Sequence, residues 1–102
     1  MANPALTEAV FYNLLSLKTP LHGYGIIQNV ESLSRGRVRL AAGTLYGALN
    51  TLLEKGWIRA LPEEDRKKEY EITPTGLETL RQELLRLSEL LENGKRIMEE
   101  KL

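Results

Sequence analysis

The hydrophobic period of this sequence changes at Gly56. Before it, apolar residues recur every third or fourth position. After it, over Trp57-Ile58-Arg59-Ala60-Leu61 and Glu69-Tyr70-Glu71-Ile72-Thr73, they alternate with polar ones. The first spacing belongs to helices with one buried face and the second to half-buried strands. The chain is therefore a helical segment followed by a hairpin, and whatever comes next must pack on both.

Pro4, Pro20, Pro62 and Pro74 mark the joints. Asn3-Pro4 reads as helix cap and first helical position. Leu6, Val10, Leu14 and Leu17, broadened by Phe11 and Leu15, then form the stripe of a first helix ending before Thr19-Pro20. A second helix starts near His22-Gly23, carries Ile26, Ile27, Val30 and Leu33, and stops at Ser34-Arg35-Gly36. Arg37-Val38-Arg39-Leu40 is either a short strand or an extended arm. A third helix runs from about Ala42–Thr44 to Lys55 with Gly56 as its stop, burying Leu45, Ala48, Leu49 and Leu52.

Pro62 to Lys68 is a polar hairpin loop, and in the strand that follows it Tyr70 and Ile72 point inward. Three helices followed by a hairpin with a charged tip is the order of a winged helix-turn-helix. Thr73-Pro74 opens a last helix with leucines at 77, 80, 84, 87 and 91, a spacing that continues through Gly94 to Met98. This is a heptad seam. The expected fold is mainly α with a small β-hairpin: a winged helix-turn-helix over residues 1–73 and a C-terminal dimerisation helix over residues 74–102.

With 102 residues the chain holds one core. It has no cysteine, which excludes disulfides and thiolate metal sites, and a single histidine, His22, which argues against a histidine-based metal site or a triad; no metal or cofactor is expected. No apolar run reaches the ~20 residues of a membrane span and no signal-peptide pattern opens the chain, so a cytoplasmic protein is expected. No nucleophile–base pair or phosphate-cradling loop is visible, and no catalytic residue is assigned.

The net charge is zero, but it is not evenly spread: residues 1–34 carry −1, residues 35–68 carry +4 and residues 69–102 carry −3. The basic third contains the third helix and the hairpin tip. The helix face opposite its apolar stripe is small and polar, with Gly43, Thr44, Gly47, Asn50 and Thr51, and Tyr46 on its flank. A recognition helix must bring such a face against base edges in a groove about 12 Å wide. Glycine in a helix interior costs about 1 kcal/mol and needs a reason. Either Gly47 permits that approach or it packs against a neighbouring helix.

On the first reading Asn50 meets an adenine edge, Thr44 and Gly47 lie close to the groove, and Tyr46 reaches phosphate. Arg66, Lys67 and Lys68 suit phosphate or minor-groove contact, although Glu63-Glu64-Asp65 beside them is the pattern of a solvated turn. Arg35, Arg37 and Arg39 either flank the same DNA or pair with acids of the terminal helix. Trp57 and Tyr70 read as core, and His22 as a cap whose alternative role is a phosphate contact. The terminal seam is too long to bury on its own domain alone. It either finds a second copy of itself or folds back.

Leu21-His22-Gly23-Tyr24-Gly25-Ile26, Gly43-Thr44-Leu45-Tyr46-Gly47-Ala48-Leu49, Leu53-Glu54-Lys55-Gly56-Trp57-Ile58 and Tyr70-Glu71-Ile72-Thr73-Pro74-Thr75-Gly76 resemble, in order and spacing, the PadR-like transcriptional regulators. The resemblance covers nearly the whole chain and fits the branch of that family with a short C-terminal helix. It implies a winged-helix repressor of double-stranded operator DNA, dimeric through its last helix and in some members relieved by a phenolic acid, drug or other small aromatic effector. It places DNA contacts on Thr44, Leu45, Tyr46 and Asn50 and on the wing at Arg66 to Lys68. His22 and Tyr24 of the first segment join them as candidates. The dimer helix is assigned Leu77, Leu80, Leu84, Leu87, Leu91 and Met98, with any ligand expected between the first and last helices near Leu84, Leu87 and Leu91. The alternative function is a winged-helix protein-interaction module without specific DNA binding.

Overall fold

The structure is a computed structural model that describes residues 5–99. Its elements are α1 (Glu8–Ser16), β1 (Leu21–His22), α2 (Gly23–Leu33), α3 (Ala42–Glu54), β2 (Ile58–Ala60), β3 (Glu69–Ile72) and α4 (Pro74–Glu99). The mainly helical winged helix-turn-helix with a long terminal helix is thus the architecture.

Two departures from the pattern of the sequence have physical reasons. The Asn3-Pro4 cap lies outside the described residues, and α1 starts at Glu8, with residues 5–7 irregular. Thr7 is the cap: its hydroxyl accepts the Val10 N–H at 3.1 Å, and Glu8 places a negative charge on the first turn. Leu6 therefore precedes the helix whose stripe it continues in sequence, although it still packs against the core.

The hairpin is also part of a larger sheet. Leu21 and His22 pair antiparallel with Tyr70 and Glu69, giving three strands in the order β1-β3-β2. A two-residue strand cannot show alternation, so β1 leaves no signal in the sequence. The segment 37–40, by contrast, is the extended arm and not a strand. Val38 and Leu40 pack on the core, and the Val38 N–H donates to the Ser34 hydroxyl at 2.9 Å.

The core joins Leu14 of α1 and Leu17 at its C-cap, Ile26 and Val30 of α2, Leu45, Leu49 and Leu52 of α3, Ile58, Tyr70 and Ile72 of the sheet, and Leu80 of α4. In the hairpin, Ile58 pairs with Ile72 and Ala60 with Tyr70. Trp57 packs at the edge of this core, half-buried, with the Lys55 ammonium 5.1 Å from its ring centroid.

Gly56 ends α3 at a φ of 73°, the left-handed conformation that a helix stop uses. α4 starts as expected: the Thr73 hydroxyl accepts the Gly76 N–H at 3.1 Å and donates to the Gly56 carbonyl at 2.6 Å. That second bond ties the start of α4 to the end of α3.

Candidate nucleic-acid interface

α3 presents the small polar face that its sequence suggests. Gly43, Thr44, Gly47 and Thr51 are exposed, as is Asn50, while Leu45, Leu49 and Leu52 are buried. A Cβ built on Gly43 or on Gly47 would find nothing within 4 Å. Of the two explanations for Gly47, packing against a neighbouring helix finds no partner among the described residues. The missing side chains leave backbone open to whatever approaches this face from outside.

Tyr46 is half exposed and Tyr24 more so, at 50% and 62%. Both lie around the start of α2, because the end of the Tyr46 ring rests on Gly23. His22 is half-buried in β1, with its imidazole against Gly25, and makes no side-chain capping bond to α2.

The loop between β2 and β3 is built more tightly than a polar linker. Glu64 and Lys67 exchange both backbone hydrogen bonds, at 2.9 and 3.3 Å, around Asp65 and Arg66. Asp65 and Arg66 take φ values of 51° and 63°. Two positive values in succession are what a two-residue type I′ hairpin turn requires, and they favour Asn, Asp or Gly at the first position and Gly at the second. Asp65 fits that preference and Arg66 does not, so the turn holds Arg66 at the extreme tip. Arg66, Lys67 and Lys68 are exposed, and so are Glu63, Glu64 and Asp65.

Several basic residues of the middle third have partners. Arg37 pairs with Glu8 at 2.5 Å, Arg39 with Glu31 at 3.2 Å and Arg59 with Glu71 at 2.6 Å. The acids belong to α1, α2 and β3, not to the terminal helix, where the charge pattern of the sequence offers partners. The Arg37 and Arg39 pairs are largely solvated, and such pairs are worth ~0.2–1 kcal/mol, too little to hold an arginine from a phosphate.

The α4 seam divides into two halves. Leu80 is in the core and Leu77 packs against it, so these two serve the chain's own domain. Leu80 is 4% exposed and presents almost no surface in this chain, whereas Leu77 is half-buried and keeps part of its own. Leu84, Leu87, Leu91 and Met98 are exposed, and Leu90 and Ile97 widen the stripe. At Gly94 a Cβ would meet nothing within 4 Å.

Between the two halves sits a polar joint. Glu83 is buried, and its carboxylate accepts two hydrogen bonds from Arg86, at 2.6 and 2.8 Å, and one from the Leu6 N–H at 3.0 Å. The Arg86 hydrogen bonds hold its carboxyl below the ordinary 4.5 against the opposing effect of burial; the Leu6 N–H and the Arg86 charge add to them. A carboxylate depressed in the folded state stabilises fully above its unfolded pKa, and that stabilisation is lost as pH falls through the folded value. The melting temperature should therefore drop on acidification below about pH 4.5. Glu83→Gln should melt lower at pH 7 and lose less over the same acid range. An unchanged acid slope in thermal denaturation from pH 7 to pH 3 would remove Glu83 as a contributor.

Beside this joint, Leu6, Phe11, Tyr12 and Leu87 line a groove of about 330 Å³ with Glu83 and Arg86 at its edge. The terminal helix has no aromatic residue, and here the aromatic surface comes from α1, a source that spacing along the chain does not reveal. Among the described residues no group of three His, Cys, Asp or Glu is placed to hold a metal, and no helix is long and apolar enough to cross a membrane.

The model of the transcriptional regulator PadR-like family matches residues 12–82. The chain is 44% identical over 64 residues, 63% of its length, to an uncharacterized 37.1 kDa protein in transposon TN4556 of Streptomyces fradiae. It is 34% identical over 59 residues, 58% of its length, to the transcriptional regulator YqjI of Escherichia coli (strain K12). These matches span 18% and 28% of the two relatives, so the chain corresponds to under a third of either.

Among solved structures it is similar to a PadR family transcription regulator from Clostridium difficile R20291, with a TM-score of 0.76 at 19% identity over 90% of this chain and 99% of that one. A PadR-like transcription factor from Bacteroides fragilis gives a TM-score of 0.70 at 27% identity over 87% of each chain. The first shows the fold. The family match runs from residue 12 in α1 through the wing to residue 82, in the first third of α4. The chain belongs to the PadR-like family of transcriptional regulators.

Proposed function

We propose that this protein is a sequence-specific DNA-binding repressor that acts as a cytoplasmic homodimer. The observation that carries the reading is the outer face of α3, where Gly43 and Gly47 are open and flank exposed Thr44 and Asn50. A helix in a major groove needs such a face, because its backbone must approach the base edges. Residues 1–73 form the DNA-binding unit and residues 74–102 the dimerisation helix, which uses Leu84, Leu87, Leu91 and Met98. Thr44, Tyr46, Gly47 and Asn50 line the DNA side of α3, with His22 and Tyr24 beside them and Arg66, Lys67 and Lys68 on the wing. A small aromatic ligand seated against Phe11, Tyr12 and Leu87 would act on the angle between α1 and α4 and so relieve repression.

A salt titration against the DNA upstream of its own gene, with a scrambled fragment as control, tests this. Binding should be specific and should weaken steeply with salt. Asn50→Ala should lower specific affinity by about 1–3 kcal/mol and relax preference at one base position. Lys67→Ala should weaken all sequences alike and flatten the salt slope by about one unit. Equal losses on operator and scrambled DNA for Asn50→Ala would take base reading away from that residue. The acids beside the wing tip and the zero net charge favour a second reading, a winged-helix protein-interaction module. It requires that neither fragment bind at ~100 mM salt, where counterion release still leaves a six-contact complex measurable.

A further inference from the structure

Two segments that lie apart in the sequence, Leu21 to Ile26 and Gly43 to Leu49, meet in the core through Ile26, Leu45 and Leu49, and at its edge where Tyr46 lies on Gly23. A Cβ built on Gly23 would stand 2.5 Å from the Tyr46 hydroxyl oxygen, 2.9 Å from Cζ and 3.4 Å from Cε1. The first two distances are shorter than side-chain carbons tolerate. The absence of a side chain at position 23 therefore makes room for the end of the Tyr46 ring. Gly23 is buried, while Tyr46 is half exposed. The ring thus lies with its hydroxyl end on the first residue of α2, while half of the residue's surface stays open to solvent.

The backbone does not explain this glycine. Positive φ values among the glycines occur at Gly36 and Gly56 and not at Gly23, so alanine fits the local conformation. Gly23 is also the first residue of α2, where alanine would raise helix propensity. A residue chosen for stability alone would not be glycine here. What the glycine provides is space, and the group occupying that space is a phenol on the flank of α3.

We propose that Gly23 is a positioning residue for DNA binding: its bare Cα seats Tyr46 so that the phenol hydroxyl and the start of α2 face the same DNA phosphate. The inference rests on the DNA-binding reading above and goes beyond it in assigning a role to a residue that makes no contact of its own. Side chains on a helix lean towards its N-terminus, so Tyr46 leans away from the middle of the α3 face. Without a fixed seat its long ring would sample several rotamers, and the hydroxyl would be placed only part of the time. The seat also ties α2 to α3, so the hydroxyl moves with both helices of the motif.

The test is a double-mutant cycle on the full chain with Gly23→Ala and Tyr46→Phe, read by binding to a random-sequence 30-bp duplex at low salt, since phosphate contacts need no operator. Each single variant should bind ~5–10-fold more weakly, the loss of about one hydrogen bond. The double variant should bind no more weakly than Tyr46→Phe alone, because the displaced group is already gone. Gly23→Ala should keep or slightly raise the melting temperature, which a merely structural glycine would not do. The ring signal of 3-fluorotyrosine at position 46 should shift in Gly23→Ala.

Additive losses, or full affinity in Gly23→Ala with the ring displaced, would overturn the positioning role and leave DNA binding intact. A wild-type chain that binds no duplex would overturn both, and the fluorine signal would then show separately whether the seat exists.

Discussion

Gly76→Ala is expected to be the most damaging conservative substitution in the chain, destabilising it by about 3 kcal/mol, the upper end of ordinary overpacking. A Cβ on Gly76 would collide with the Trp57 carbonyl oxygen and lie 2.9 Å from its carbonyl carbon and 2.7 Å from Ile72 Cγ1. The oxygen belongs to backbone and cannot swing aside. It also accepts the Thr73 N–H at 3.0 Å, so moving it breaks a bond at the strand-to-helix junction. Gly76 is the third residue of α4, and its own N–H is capped by Thr73. An added methyl group must push the start of α4 off the sheet or pull the Trp57 carbonyl from Thr73. In a domain of this size the melting temperature should fall on the order of 10–20 °C. Gly94→Ala is the control. It sits in the same helix with nothing within 4 Å, and alanine there should stabilise an isolated helix turn by up to about 1 kcal/mol. Equal melting temperatures for Gly76→Ala and the wild type would mean that α4 does not approach β2 this closely.

Much of this molecule is legible in its amino-acid sequence, and the illegible parts share a cause. The buried stripes of α2 and α3 and the inward Tyr70 and Ile72 follow from spacing, because each repeats often enough to be read. β1 does not, since a two-residue strand has no period and is defined by its partners on β3. Gly76 and Gly23 stand in the segments that carry the family resemblance, yet their reasons lie on other elements, a carbonyl at position 57 and a ring at position 46. Spacing identifies what repeats along the chain; contacts between distant segments leave only an isolated small residue as a trace. The wing shows the reverse case. Its composition promises an ordinary solvated loop, but Asp65 and Arg66 adopt positive φ and close a tight turn. Asp65 suits the first position, but Arg66 stands where the glycine that would have announced the turn is expected.

The heptad seam is the place where a sound pattern needed division. Its period runs from Leu77 to Met98 with Gly94 at one position, but the core ends before the helix does. Leu80 is sealed in the core, and from Leu84 onward the stripe faces water in a single chain. The stripe is also broader than a narrow two-stranded seam, because Leu90 and Ile97 extend it to one side. Such a surface suits burial against two helices at once, and a second copy offers both its α4 and the α1 groove beside Leu87.

Leu84→Asp should therefore abolish the proposed dimer while leaving the fold in place. In a lone chain position 84 is 50% exposed, so the new carboxylate stays hydrated and the domain should change by no more than about 0.5 kcal/mol. In a dimer the same carboxylate would be shut against leucines without a partner, at a cost of several kcal/mol. Light scattering should show a monomer with unchanged far-ultraviolet dichroism at equal concentration. Operator affinity should fall by ~10²–10⁴-fold, because two half-sites are no longer read by linked helices. Leu80→Asp supplies the contrast: at 4% exposure the charge enters the core itself, and helicity should be lost together with assembly. A monomer for Leu84→Asp and an unfolded chain for Leu80→Asp would locate the division of α4 between positions 80 and 84. A Leu84→Asp chain that remains dimeric would move the interface off this stripe, most directly onto the α1 surface at Phe11 and Tyr12. The linkage between assembly and DNA affinity would then have to run through the helix that packs on α2, nearer to the recognition face.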